Sequence, residues 1–340
     1  MTALALDVGG TKLAAAVAAD DGTPLEARSV PVPRKDVWGA CAGLLREVAE
    51  IGEGPVTAVG IAAAGPVDTN AGTIGPINIS EWSSGFALVD AVRSVFPDAR
   101  VDPVMDGAAA TLAEQRFGAG RDVADLLGVV LGTGIGGGLV LGGRIVRGRT
   151  GNAGHIGHVV SPYGTTVCAC GGVGCIETVA SGPSAVRWAR AHGWEGPDGV
   201  ALATDAEAGV GVAAAALERA GTALGQVIAS AAALTDVGRV VVGGGFAQSG
   251  GHLWRPMLAS AARHARLRFV QDLQIVPAEL GALGTLTGAS IVAAGHDWIT
   301  RPGTPGFPAY PEDHIGVPAE TGEVPPGCSA SRSAVPDADC

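Results

Sequence analysis

The chain opens with two apolar runs, Thr2–Val8 and Leu13–Ala18, separated by Gly9-Gly10-Thr11. Short apolar runs bounded by glycine read as strands, and the turn between them as a hairpin. A third run near Ala27–Val32 predicts an antiparallel meander. Val37, Cys41, Leu44, Leu45 and Val48 recur at helical spacing, which predicts a helix over Val37–Ile51. Thr57–Ala62 then predicts a strand, Phe86–Val95 a helix, Arg100–Met105 a strand and Gly107–Phe117 a helix. That order implies an α/β unit, a mixed sheet with helices on its faces.

A second unit follows the same plan. Asp125–Leu131 and Gly137–Leu141 flank GTGIGG and resemble the opening hairpin. A cysteine-rich stretch leads to an alanine-rich helix expected over Ala206–Thr235. A strand, Arg239–Val242, then runs into Gly243-Gly244-Gly245, followed by helices over Trp254–Leu267 and Ala282–Ala294. Two similar strand–turn–strand units predict two lobes with a cleft between them, the usual seat of a ligand. The expected division is a first lobe of residues 1–118 completed by a helix at 282–296, and a second lobe of 119–281 that includes the segment 155–177. From Arg301 onward Pro and Gly recur with no period of 2 or 3.6. Residues 301–340 are therefore expected to form an irregular or disordered tail, whose Cys328 and Cys340 lack ligand-like spacing.

Charge and composition narrow the function. The net charge is −11 and the cations do not cluster, which argues against nucleic acid as a partner. Glycines and charges interrupt every apolar run before the ~18 residues that a membrane span needs. Met1 leads straight into a strand without a basic leader, so a cytoplasmic location is expected.

Five segments carry candidate chemistry. His158, Cys168, Cys170 and Cys175 supply one imidazole and three thiols within a short span, enough to close a tetrahedral Cys₃His zinc site. A disulfide among the three clustered cysteines would leave one over. In LDVGGTK, glycines just after a strand let backbone N–H groups approach phosphate oxygens, and Asp7 can hold Mg²⁺ or its waters; a plain turn uses the same glycines. LGTGIGGG (Leu131–Gly138) offers a second such turn, and VVVGGGFAQSG (Val240–Gly250) a strand-to-helix turn that suits adenosine or phosphate. Asp106 follows a strand and opens a helix, so it reads either as a general base facing the cleft or as a helix N-cap.

These pieces, in this order over residues 3 to 295, resemble the ROK family of repressors and sugar kinases. The most specific matches are DVGGTK, GTGIGGG, AGHIGH, and CACGGVGC followed by Glu177. The resemblance implies the two-lobed sugar kinase/actin-like ATPase (ribonuclease H-like) fold. Family repressors carry a helix-turn-helix domain before the DxGGTK strand; here that strand begins beside Met1, so the kinase branch is expected. The resemblance then implies Asp106 as the base that deprotonates a sugar hydroxyl attacking Mg-ATP. It implies Asp7, Gly9, Gly10, Thr11 and Lys12 as the first phosphate motif, Thr133 and Gly134 as the second, and Gly243, Gly244 and Gly245 as the adenosine segment. Asn78, Met105, His155, His158 and Glu177 fall on substrate positions, and His158 with Cys168, Cys170 and Cys175 matches the structural zinc ligands.

Two departures concern the acceptor. Met105 stands where most family sugar kinases have Asn, and His155 where most have Glu. A neutral imidazole offers one donor and one acceptor in place of two acceptors. A His here is familiar from some bacterial N-acetylmannosamine kinases and glucokinase-like members. The expected acceptor is a hexose or hexose-like sugar, with a carbasugar such as a C7-cyclitol as the second reading. A sugar-binding regulator that does not turn over is the third. The resemblance also implies a homodimer or homotetramer.

Overall fold

The computed structural model describes residues 1–295. The expected tail at 301–340 lies outside the described residues, as do the last residue of the helix expected at 282–296 and the whole of His296–Thr300.

The first lobe contains β1 (Thr2–Val8), β2 (Lys12–Ala18), β3 (Pro24–Pro31), α1 (Val37–Ile51), β4 (Val56–Ala63), the short pair β5 (Val67–Asp68) and β6 (Thr73–Ile74), α2 (Leu88–Val95), β7 (Arg100–Met105) and α3 (Asp106–Phe117). Its sheet has the order β3-β2-β1-β4-β7. The first three strands are the antiparallel meander, whereas β4 and β7 run parallel to β1. The second lobe contains β8 (Leu126–Leu131), β9 (Ile135–Leu141), β10 (Arg144–Ile145), α4 (Glu177–Ala180), α5 (Gly182–Ala191), α6 (Gly199–Glu207), α7 (Gly211–Thr235), β11 (Arg239–Gly243), α8 (Gly251–His264) and β12 (Gln274–Pro277). Its sheet, β10-β9-β8-β11-β12, repeats the pattern of an antiparallel hairpin with added parallel strands. The last described helix, α9 (Gly284–Ala294), packs on β1, β4 and α3.

Strands buried on both faces explain the continuous apolar runs. Leu4, Leu6, Leu13, Leu45, Ile61, Leu88 and Leu112 lie in one core, and Leu127, Val129, Leu217, Leu224, Ile228 and Leu253 in another. The helix α3 bridges the two sheets. At its start a Cβ on Gly107 would strike the backbone of Gly137 in β9, so only glycine allows this approach.

Several expectations change. The single helix expected over 206–235 is two helices, α6 and α7, bent by 113°. Gly209 takes a left-handed φ of 88° and turns the chain, a conformation that alanine-rich periodicity does not foreshadow. The helix α5, which buries Ala185, Val186 and Ala189 on one face, and most of α6, which carries no strong apolar stripe, were not expected. The helix α8 runs from Gly251 to His264 instead of 254–267; Gly250 turns the chain in early, and His264 Nδ1 lies 2.8 Å from Ser260 O in its last turn. The final helix begins at Gly284, after a 3₁₀ turn over Gly281–Leu283, and ends at Gly295 in a left-handed cap. Asp106 is the first residue of α3 and not its N-cap, which is the extended Met105. Among the described residues no single helix is long and apolar enough to cross a membrane.

Candidate active site

In the first sheet β1, β4 and β7 are parallel, with Asp7 paired to Ala62 and Ala63 paired to Met105. Asp7 and Asp106 therefore sit at the carboxyl ends of two strands on either side of β4, the edge at which open α/β sheets bind ligands. Asp7 Oδ2 accepts a hydrogen bond from Thr285 Oγ1 at 2.6 Å. Its Oδ1 is buried and has no partner. Burial pushes the Asp7 carboxyl up to about 6, against the opposing effects of Thr285 and Lys12. Asp106 Oδ1 accepts from Gly107 N–H at 2.6 Å. Burial pushes this carboxyl up to about 6 as well, and the charge of Asp7 acts in the same direction. Two carboxyls that resist ionisation in one place are suited to cation binding and proton transfer.

The hairpin turn beside Asp7 is held by Gly9 N–H donating to Lys12 O at 3.1 Å. A Cβ on Gly10 would fall inside the side chain of Asn78, so that amide lies directly on the turn. Thr11 and Lys12 are exposed. In the second lobe Thr133 is exposed at the tip of the β8–β9 turn. Glu177 Oε2 accepts from Ile135 N–H at 2.9 Å and lies close beside Gly134, tying the turn to the cysteine segment. Gly243 pairs with Val130, and a Cβ on Gly244 would strike the backbone of Leu131. The second and third glycine segments are thus side by side, at the carboxyl ends of β8 and β11.

Met105 and His155 converge on Gly65. A Cβ there would lie 3.4 Å from Met105 Sδ and 3.6 Å from His155 Nε2. Met105 is 1% exposed, so it packs beneath the site and does not line an open surface. His155 Nδ1 is buried without a partner. Burial, and then the neighbouring His158, lowers the pKa of His155 and keeps its ring neutral. Asn152 holds this wall in place: its Oδ1 accepts from Val67 N–H at 2.9 Å and its Nδ2 donates to Val67 O at 2.6 Å.

The donor atoms of His158, Cys168, Cys170 and Cys175 all lie within 4.8 Å of one another. Cys170 and Cys175 have their sulfurs 3.7 Å apart. That is far beyond a disulfide bond but matches the ~3.8 Å edge of a tetrahedron with Zn–S bonds of ~2.3 Å. Cys168 Sγ lies 3.8 Å from His158 Nδ1, close to the ~3.6 Å expected of a mixed S/N edge. A backbone N–H from Gly172 holds the Cys170 thiol below its ordinary value, whereas burial pushes Cys175 up to about 12. Soft thiolates with one imidazole fit zinc, and four ligands leave no open position.

Comparison with known proteins settles the lineage. The ROK family pattern matches residues 3–296 of this chain. The chain belongs to the ROK family. An N-acetylmannosamine kinase from Escherichia coli O139:H28 is 34% identical over 254 residues, which are 74% of this chain and 86% of that protein. The ROK hexokinase from Thermus thermophilus superposes with a TM-score of 0.76 at 31% identity, covering 86% of this chain and 97% of that one. A ROK family glucokinase from Streptomyces griseus, solved with glucose and AMPPNP, gives 0.73 at 31% identity, covering 86% and 99%. This ROK chain accordingly has the two-lobed α/β fold of the sugar kinase/actin-like type.

In this ROK protein the structure joins Asp7, Gly10, Asn78 and Asp106 in one lobe, and Thr133, Gly134, Glu177 and the cysteine cluster in the other. Lys12 makes no ion pair among the described residues, and Asn78 is exposed without a hydrogen bond. Thr285 and Asn152 escaped sequence reasoning. Thr285 lies in a run of small residues, GALGTLTG, where nothing singles out one hydroxyl.

Proposed function

We propose that this chain is an ATP-dependent carbohydrate kinase, transferring the γ-phosphoryl group to a primary, C6-type hydroxyl of a hexose or hexose-like sugar. The observation that carries this reading is Asp106: a carboxyl at the seam of the two lobes with its pKa pushed up to about 6. Such a group is ionised at neutral pH yet basic enough to accept the proton of an attacking hydroxyl, help worth ~10²–10⁴ in rate. The names of the relatives, kinases of N-acetylmannosamine and of hexoses, support the reaction class.

Gly9, Gly10, Thr11 and Lys12 would cradle the phosphates from the first lobe, and Thr133 and Gly134 from the second. Gly243, Gly244 and Gly245 would face the adenosine. Asp7, with its buried and unpartnered Oδ1, would hold Mg²⁺ or its waters; the ion supplies charge neutralisation to the phosphates. Alignment of the reactants by these two lobes provides most of the remaining acceleration. Asn78, His155, His158 and Glu177 would bind the acceptor, with Met105 shaping the floor beneath it. Zinc on His158, Cys168, Cys170 and Cys175 would fix the segment that carries His155 and Glu177, leaving the proton transfer to Asp106. The lobes would divide near residue 118, with α9 completing the first.

An apolar Met105 removes one hydrogen-bonding group from the usual acceptor shell, and a neutral His155 puts one donor and one acceptor where two acceptors are usual, which favours an acceptor with a different hydroxyl pattern or no ring oxygen as a second reading. The test is ADP release against glucose, mannose, N-acetylmannosamine, N-acetylglucosamine and a C7-cyclitol. Turnover of one sugar is expected. Turnover of none, by protein that binds AMPPNP in calorimetry, would overturn the kinase reading in favour of a regulator.

A further inference from the structure

Among the described residues the chain crosses between the lobes twice, over residues 118–125 and 278–283. One buried side chain touches both crossings. Glu114, in the last turn of α3, is 5% exposed. Its Oε2 accepts from Ala119 N–H at 2.9 Å in the first crossing and from Glu279 N–H at 3.2 Å in the second. Its Oε1 accepts from Leu280 N–H at 2.8 Å. The backbone carbonyl of Glu114 also accepts from Gly118 and Gly120. A Cβ on Gly118 would collide with the Glu114 carboxylate, so the chain passes as close as a residue can. Above this point Arg121 and Glu279 join the crossings by an ion pair at 3.3 Å, and Arg239 Nη1 donates to Ala119 O at 3.0 Å.

A buried carboxylate needs compensation, and here backbone N–H groups from two separate segments supply it. A carboxylate that shares its bonds between both crossings couples them: neither can rearrange without breaking a charge-assisted bond. The same helix begins at Asp106, eight residues earlier and ~12 Å away along the axis. Its first turn meets the second lobe without a side chain between them, at Gly107 and Gly137. The helix α3 is therefore held to the second lobe at its Asp106 end and to both crossings at its Glu114 end.

We propose that Glu114 is a positioning residue: it fastens both crossings to α3 and so keeps Asp106 aligned with the transferred phosphoryl group. This rests on the kinase reading only for its rate effect. Lobe coupling is read separately by hydrogen exchange.

The test is Glu114→Gln, whose amide can accept with one oxygen but places an N–H₂ donor against the remaining N–H groups. Exchange measured in the free protein and with Mg-AMPPNP should be about tenfold faster at 119–120 and 279–280 than in the wild type. With the acceptor identified in the sugar panel, kcat should fall about tenfold while the sugar KM stays within about twofold, because alignment is lost and contacts are kept. A folded Glu114→Gln protein with wild-type exchange and kcat overturns the proposal. A fall in KM-determined affinity alone, with kcat intact, overturns it as well. If Glu114→Gln does not fold, Arg121→Ala severs the exposed link between the same segments: a two- to threefold loss of kcat with faster exchange at 279–283 supports the coupling, and wild-type values for both refute it. Should Asp106 prove not to be the base, the exchange result still decides whether Glu114 couples the crossings.

Discussion

Asp106→Asn should make the protein more stable at neutral pH while disabling it. The folded state raises the Asp106 carboxyl from 3.8 to about 6, chiefly by burial. Each unit corresponds to about 1.4 kcal/mol of preference for the neutral form, so the full shift is worth about 3 kcal/mol. Asp106 keeps a partly open face where solvent screens the charge, so about 1–3 kcal/mol is expected. The sign follows from linkage. A carboxyl whose folded pKa is raised imposes no penalty below about 3.8, an increasing one as pH rises toward 6, and the whole of it above. Asn is neutral throughout and can still accept from Gly107 N–H. The Asn variant should therefore melt about 2–6 °C above the wild type at pH 7.5, taking about 2 °C per kcal/mol, the lower end of the usual range, for a chain of this length. The gain should shrink toward zero near pH 4. Differential scanning calorimetry of both proteins from pH 4.5 to 8 reads the difference, in which the titration of Asp7 largely cancels. A variant less stable than wild type at pH 7.5, or a gain indifferent to pH, would refute the argument that burial of charge sets this carboxyl.

Three further outcomes follow from the same geometry. In wild type, kcat/KM should fall about tenfold per pH unit below pH 6, steepening as Asp7 also takes up a proton; a flat profile down to pH 5 would contradict this. Thr285→Ala removes the hydroxyl held by Asp7 Oδ2, and should raise the Mg²⁺ concentration needed for half-maximal rate by about tenfold, measured by magnesium titration at fixed ATP. Cys170→Ser should lose bound zinc, measured by elemental analysis, and activity together; full activity in a zinc-free variant would remove zinc from the account.

Much of the fold was legible because its strands are short apolar runs closed by glycine and its first helix has a clean stripe. The helix Val37–Ile51 and the strand Arg100–Met105 fall where their patterns place them. The parts that were not legible depend on single residues or on distant contacts. Gly209 and Gly211 interrupt an alanine-rich stretch that otherwise reads as one continuous helix, and α5 buries only the small apolar face of Ala185, Val186 and Ala189. By position alone Asp106 read more readily as a cap, until the structure put Met105 in that place. The cysteine spacing announced its cluster because all four candidate ligands fall within one 18-residue span, His158 to Cys175. By contrast, Met105 and His155 meet over Gly65 from different lobes, and Thr285 reaches Asp7 across most of the chain. Contacts of that separation leave no periodic trace.

The most direct measurement is single-turnover phosphoryl transfer from labelled ATP to the accepted sugar by wild type and Asp106→Asn, with sugar and AMPPNP affinities measured on both. The predicted result is a loss of ~10²–10⁴ in the transfer rate with both affinities kept within a few fold. Transfer by the Asn variant at a rate within about threefold of wild type would contradict the assignment of Asp106 as the base.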